Sequence, residues 1–426
     1  MLFNEDFLHY IWQFRLLNKL ALHCTNGEAL FVLHPGKANT NAGPDFSFAR
    51  LRMGDCTWVG NVEIHFRSSD WLLHQHHLDP AYDTVILHAV YEDDMAIYRT
   101  DGTLIPVLVM KDLLPEDKLT SFQAFQEQGY FFPCSQQIGA VDPHTIQTML
   151  DPMLMERLEE KAFSVAEKTA FNKHHWNETF YYLLLRNFGF KVNAVPFELL
   201  ADVLPSSLLI RYRDNPLQVA ALLFGQAGFL ENDFADPYPL QLKAEFRFLQ
   251  KKHELQPLSS SVWQFLRMRP QNFPTRRLAQ LVALLVGRHH FLSQLLETKT
   301  LKEVKAIFSS VEVDPYWKTH YHFDKEVKET TVQFGEKSIE NLIINAVCLS
   351  LYSYGKTFKK PDLMQYAVIL LKEIPAEHNS IVDKYVKNGL SVKSAYFSQA
   401  VLQLNKSYCN QKKCLNCLIG IKILNK

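Results

Sequence analysis

Apolar side chains at Phe7, Tyr10, Ile11, Phe14, Leu17, Leu20 and Ala21 recur at three-to-four-residue spacing, which predicts an amphipathic helix from Asp6 to Cys24. Asn4 is its N-cap in this reading and Thr25-Asn26-Gly27 its end. The period then shortens. Runs of β-type residues follow at 29–33, 46–53, 57–66, 84–91, 95–98 and 104–110, with turns at Gly54-Asp55 and Asp101-Gly102 and a polar, histidine-rich break after residue 67. A helix, three strands, a break and further strands predict one α+β or α/β module over residues 1–130 with a mixed sheet. Beyond Asp142 the long period returns, most clearly at 145–170, 176–188, 216–223, 276–296, 338–353, 362–373 and 392–405. Residues 131–426 are therefore expected to form a large, mostly α-helical domain.

Composition adds bounds. The 426 residues exceed what one core normally serves, which agrees with two domains. Lys+Arg and Asp+Glu number 45 each, so the chain as a whole is not a polyanion binder, and any nucleic-acid contact must be local. The longest apolar run, Leu278 to Val286, is well short of the ~20 residues of a membrane span, and the acidic start Met1-Leu2-Phe3-Asn4-Glu5-Asp6 lacks a signal-peptide pattern. The expectation is a soluble, cytoplasmic protein.

Chemistry concentrates in the N-terminal module. Pro44 leads Asp45 into one predicted strand, and Glu63 and His65, two apart on the next, share a face while Val62 and Ile64 point the other way. A hairpin at Gly54-Asp55 brings Asp45 towards Glu63 and His65. Two carboxylates and an imidazole suit Mg²⁺ or Mn²⁺. His74 and His76, with His88 in the next strand, offer an alternative zinc or manganese set, against a reading of His88 as a buried, satisfied histidine.

Cys409, Cys414 and Cys417 crowd together as C-x4-C-x2-C, and Cys134 is the candidate fourth ligand. Four thiolates suit Zn²⁺ or an iron–sulfur cluster that fixes the chain's end. Cys24, Cys56 and Cys348 read as small buried hydrophobes. Arg267, Arg269, Arg276 and Arg277, around Phe273, form a basic loop able to contact a nucleic-acid backbone or phosphate, against a reading in which they pair with acids or cap neighbouring helices.

The Pro44-Asp45 and Glu63-x-His65 pattern resembles the PD-(D/E)XK nuclease superfamily, whose restriction-endonuclease-like core runs helix, three strands, helix, strand. The resemblance implies that Asp45 and Glu63 bind the metal, with Glu5 as the acid some members add from the first helix. His65 stands where the superfamily has a lysine, so the same fold serves either hydrolysis or binding without turnover. Several of those nucleases join a C-terminal cysteine group to a distant cysteine through an iron–sulfur cluster, and Cys134 with the terminal three is similar in arrangement. Over nearly its full length the chain also resembles an uncharacterised bacterial family, domain of unknown function 2851. The matching stretches are Ala42–Phe46, Gly60–His65, Ser69–Trp71, Val85–His88, Phe224–Gly228, Arg269–Pro274 and the terminal cysteines. The expected activity is a metal-dependent phosphodiesterase acting on DNA or RNA in repair, defence or processing. The alternatives are an inactive nucleic-acid- or protein-binding module and a zinc hydrolase using the His74/His76 region.

Overall fold

A computed structural model describes residues 3–18, 21–39, 43–127, 132–286 and 291–425. Residue contacts divide the chain into two compact units: Met1–Met149 with Lys387–Leu390 and Leu404–Lys426, and Leu150–Val386 with Ser391–Gln403. The expected boundary at residue 130 falls inside the first unit, and the terminal cysteines join that unit, not the helical one.

Unit 1 opens with helix α1 (Glu5–Gln13), shorter than its periodicity suggested. Arg15 adopts a left-handed conformation, and its N–H and that of Leu16 bond back to Trp12 and Ile11, closing the helix. The end of the span expected to be helical is instead a strand: β1 (Leu22–His23) pairs with β2 (Ala29–His34). The short β3 (Lys37–Ala38) precedes β4 (Phe46–Met53), which turns through Gly54-Asp55 into β5 (Cys56–Arg67) with Met53 opposite Cys56. A connection containing the short helix α2 (Asp70–Leu73) and two 3₁₀ turns leads to β6 (Val85–Glu92), then β7 (Val107–Val109). The sheet order is β1-β2-β4-β5-β6-β7, with β3 also on β4. β4 is antiparallel to both neighbours, whereas β5, β6 and β7 run parallel. The crossover needed to make β5 and β6 parallel is the histidine-rich stretch, which is why its side chains return to the end of β5.

β6 is buried on both faces, as its near-continuous apolar run requires. α1 buries Phe7, Leu8, Tyr10, Ile11 and Trp12, and the Trp12 indole donates to the Pro35 carbonyl at 2.9 Å. Each such side chain contributes roughly 1.5–3 kcal/mol. A helix over Glu116–Glu127, α3, and the C-terminal helix Leu418–Leu424 share this unit; Tyr10 Oη donates to Asn425 Oδ1 (2.7 Å) and Lys118 Nζ to the Leu424 carbonyl (2.7 Å). Cys24 is buried as expected, but Cys56 is exposed because it occupies the hairpin turn's outer end.

Unit 2 is helical apart from a two-stranded ribbon at His320–His322 and Lys325–Glu326. Its leading helices are α4 (Pro143–Phe171, whose first residues belong to unit 1), α5 (Trp176–Phe188) and α6 (Ala194–Val203). The run expected over 276–296 is two helices, Pro274–Leu285 and Phe291–Glu297, with 287–290 outside the described residues. The run over 338–353 contains a π-turn at Ile343–Val347. Among the described residues no helix is long and apolar enough to cross a membrane.

Candidate metal centre

The start of β4 and the end of β5 lock together through the acids themselves. Glu63 Oε2 accepts the Asp45 N–H at 3.0 Å, and Asp45 Oδ2 accepts the Ile64 N–H at 2.9 Å. This reciprocal pair exists because Phe46 lies opposite Val62, setting Asp45 one position beyond, beside Glu63. Glu63 is only 4% exposed. Burial pushes its carboxyl above the ordinary value, with the Asp45 charge adding to the rise and the contacts to His76 and the Asp45 N–H opposing it. Glu5, on α1, accepts the Phe66 N–H at 3.2 Å and so reaches the same strand end.

Imidazoles surround this pair. His65 Nδ1 lies 2.9 Å from His88 Nε2, and His65 Nε2 lies 3.1 Å from His74 Nδ1 and 3.4 Å from Glu63 Oε1. His76 Nε2 stands 3.2 Å from Glu63 Oε1, its ring stacked on His65 on one side and on Tyr82 on the other. A neutral His65 carries one N–H for its two imidazole neighbours, so it donates to one and presents a lone pair to the other. Burial, then the His88, His74 and His76 neighbours, lower the His65 pKa to about 2, and burial and His76 lower His88 to about 3. Both rings are therefore neutral, the form that ligates metals.

His65, His74 and His76 offer ligand atoms that all lie within 4.8 Å of one another, the single such group among the described residues. Gln75, between the last two, is left-handed (φ 61°), and this reversal at the end of α2 turns both flanking imidazoles onto His65. The set extends across the predicted residues: Asp45, Glu63, His65 and Glu5 converge with the alternative group His74, His76 and His88. His88 is the buried histidine anticipated, but its Nδ1 has no hydrogen-bond partner among the described residues.

One member escaped the sequence reading. His9, on α1, places Nε2 3.2 Å from Asp45 Oδ2. Burial disfavours its charged form, but Asp45, Glu5 and Asp6 outweigh burial and raise its pKa. The available signal was its position four residues after Glu5, on the same helix face.

The cysteines also gather within unit 1. Burial first, then the neighbouring Cys409, Cys417 and Cys414, push the Cys134 thiol up, and burial with Cys409 and Cys417 pushes Cys414 up to about 12. Cys417 accepts backbone N–H bonds from Gly420 and Ile419. Among the described residues no three thiols have their sulfurs all within 4.8 Å of one another, as the three imidazole ligand atoms are.

The basic loop does not form one cationic surface. Arg276 and Arg277 are 2% and 4% exposed. Arg276 donates to Thr330 Oγ1 and the Thr331 carbonyl, Arg277 to Gln280, Asn272 and Ser338, and each stacks on a ring, Tyr321 and Phe190 respectively. Only Arg267 and Arg269 remain exposed. The helix that begins at Pro274 carries the other two inward, where neutral oxygens accept from their terminal nitrogens while Arg277 Nε has no hydrogen-bond partner among the described residues.

The chain belongs to the family described as "Protein of unknown function (DUF2851)", whose model matches residues 5–380. The imidazole–carboxylate centre lies inside that span and the three terminal cysteines beyond it. No curated protein and no solved structure matches the chain.

Proposed function

For this member of the family we propose a metal-dependent phosphodiesterase acting on DNA or RNA, with its divalent ion held by His65, His74 and His76 beside Glu63. The observation that carries the reading is the convergence of three imidazole ligand atoms within 4.8 Å, next to two acids that join the strands, Glu63 accepting the Asp45 N–H and Asp45 the Ile64 N–H. Supporting the substrate class is the chain order of a helix, a run of strands, a helical connection and a further strand, similar to the order that the nuclease resemblance calls for, although the two-residue strands β1 and β3 make the run five strands and not three. Three nitrogen ligands move the metal preference from Mg²⁺ towards Mn²⁺ or Zn²⁺.

A divalent ion there supplies Lewis-acid polarisation of a phosphoryl oxygen. The protein's part is positional. His88 orients His65 through Nδ1, leaving Nε2 for the ligand position. Asp45 fixes the strand end by accepting from Ile64, and the same Oδ2 faces His9. His9 Nε2 is then the group placed to hold or deliver a proton at the leaving oxygen, with Asp45 stabilising its charged form. His65, in the lysine's place, acts as ligand in this reading and not as base.

In the same reading Cys134, Cys409, Cys414 and Cys417 form a second, structural centre. Four thiolates suit Zn²⁺ or an iron–sulfur cluster, and the Gly420 and Ile419 N–H bonds to Cys417 stabilise thiolate charge.

The test is cleavage of single- and double-stranded DNA and RNA with Mn²⁺, Zn²⁺ or Mg²⁺, beside calorimetric metal titration. Glu63→Gln and His76→Ala are expected to lose at least about a hundredfold in rate, and His76→Ala to weaken metal binding roughly ten- to a hundredfold. Unaltered metal affinity in His76→Ala, or cleavage by Glu63→Gln at the wild-type rate, overturns the assignment.

A further inference from the structure

The helical unit contains an open cavity of about 810 Å³ lined by Arg157, Lys161, Lys168, Arg186 and Lys191, with Glu377 as its lone lining carboxylate. Positions 157, 161, 164, 165 and 168 are one stripe of α4, so Arg157 and Lys161 sit a turn apart on the same face, a like-charge spacing that disfavours the helix unless an anion offsets it. Opposite them stand Tyr182, Leu183, Arg186 and Asn187 of α5.

These cations are not equivalent. Lys168 is paired with Asp202 at 2.6 Å, and Arg186 with Glu198. Arg157 and Lys161 form no ion pair within 4 Å among the described residues and hydrogen-bond amide oxygens: Arg157 Nε donates to Gln399 Oε1 (2.5 Å), and Lys161 Nζ donates to the same oxygen (3.3 Å) and to Asn345 Oδ1 (3.1 Å). Asn345 is carried by the π-turn, a distortion that re-aims side chains at functional positions. Glu377 accepts from Gln399 Nε2, and its charge acts on both cations, with Glu160 adding to it at Arg157. One N–H of Lys161 and the terminal nitrogens of Arg157 are left for a ligand. Burial, with Arg157 and then Arg186 beside it, lowers the Lys161 pKa to about 7, outweighing the opposing charge of Glu377.

We propose that this cavity binds a phosphomonoester of nucleotide size, its phosphate on Arg157 and Lys161 and its nucleoside against the wall of Tyr182, Leu183, Phe190 and Leu349. The volume is that of a small-molecule site. A forked guanidinium beside an ammonium is a donor set suited to a phosphate dianion. The inference is independent of the metal centre, which lies in the other unit.

The test is calorimetry and thermal denaturation of the full chain with AMP, CMP, adenosine, inorganic phosphate and sulfate in low-salt, phosphate-free buffer. Mononucleotides are expected to bind and raise the melting temperature, inorganic phosphate to bind more weakly, and adenosine alone not to bind. Lys161→Met and Arg157→Gln, each shown folded by circular dichroism, are expected to weaken nucleotide binding roughly tenfold to a hundredfold. Lys191→Ala, at an exposed position, provides a variant with the fold undisturbed, expected to weaken binding a few-fold through lost long-range attraction. Inorganic phosphate binding as tightly as AMP overturns the nucleoside part. Absence of binding, or wild-type affinity in folded Lys161→Met, overturns the site.

Discussion

Replacing Lys161 by methionine tests the energetic premise of the cavity without any ligand. Lysine's ordinary value is 10.5, and burial brings Lys161 to about 7. At about 1.4 kcal/mol for each factor of ten in the proton equilibrium, holding the charge inside at pH 7 costs about 5 kcal/mol at most. Methionine has similar length and no charge to desolvate. Its substitution strands Asn345 Oδ1, a loss of about 1–3 kcal/mol, while Gln399 Oε1 keeps its Arg157 donor. The balance is a gain of about 2–4 kcal/mol, or roughly 5–15 °C in melting temperature for a unit of this size. Urea denaturation in phosphate-free buffer, followed by the tryptophan fluorescence of Trp176, Trp263 and Trp317, measures it. The pH dependence carries a definite sign. Between about pH 7 and 10.5 the unfolded lysine holds a proton that the folded one has released, so wild-type stability gains with rising pH from this group. The advantage of Lys161→Met is therefore largest at pH 7 and below and shrinks towards pH 10. A variant that is less stable than wild type at pH 7, or a difference constant across this range, refutes the claim that burial of this cation outweighs the charge of Glu377.

Two further outcomes probe unit 1. Gly60 lies where β5 meets β6, and a Cβ there would stand 2.8 Å from the Thr84 carbonyl and closer still to the Ile86 side chain, so Gly60→Val is expected to cost about 3 kcal/mol or more in urea denaturation; a loss below about 1 kcal/mol contradicts the strand packing described. Cys414→Ser and Cys417→Ser are expected to abolish the metal released by a mercurial thiol reagent from anaerobically purified protein and to lower the melting temperature by several degrees, whereas wild-type release from both variants removes the thiolate centre.

Much of unit 1 was legible because its signals are local. Alternation and the Gly54-Asp55 turn defined β4 and β5, and period two put Glu63 and His65 on one face. The end of α1 was not legible, since the apolar spacing runs on past Gln13 while the left-handed turn at Arg15 leaves no mark in composition. His9 was missed for a related reason: a lone histidine on an amphipathic helix gains meaning only once Asp45 is beside it. The four arginines illustrate the opposite failure, because charge pattern alone does not say which guanidiniums face inward.

The sequence by itself determined a mixed sheet-bearing region followed by a helical one, and it named the residue types that gather around Glu63 and around Cys134. Periodicity and turn chemistry act over a few residues, and that range sufficed. Tertiary structure alone decided that β5 and β6 run parallel, so that the crossover returns His74 and His76 to His65. It decided too that the terminal cysteines belong with unit 1, and that Arg157 and Lys161 share Gln399 while Lys161 also reaches Asn345. These are contacts between segments far apart in the chain, fixed by how whole elements pack and not by any local preference.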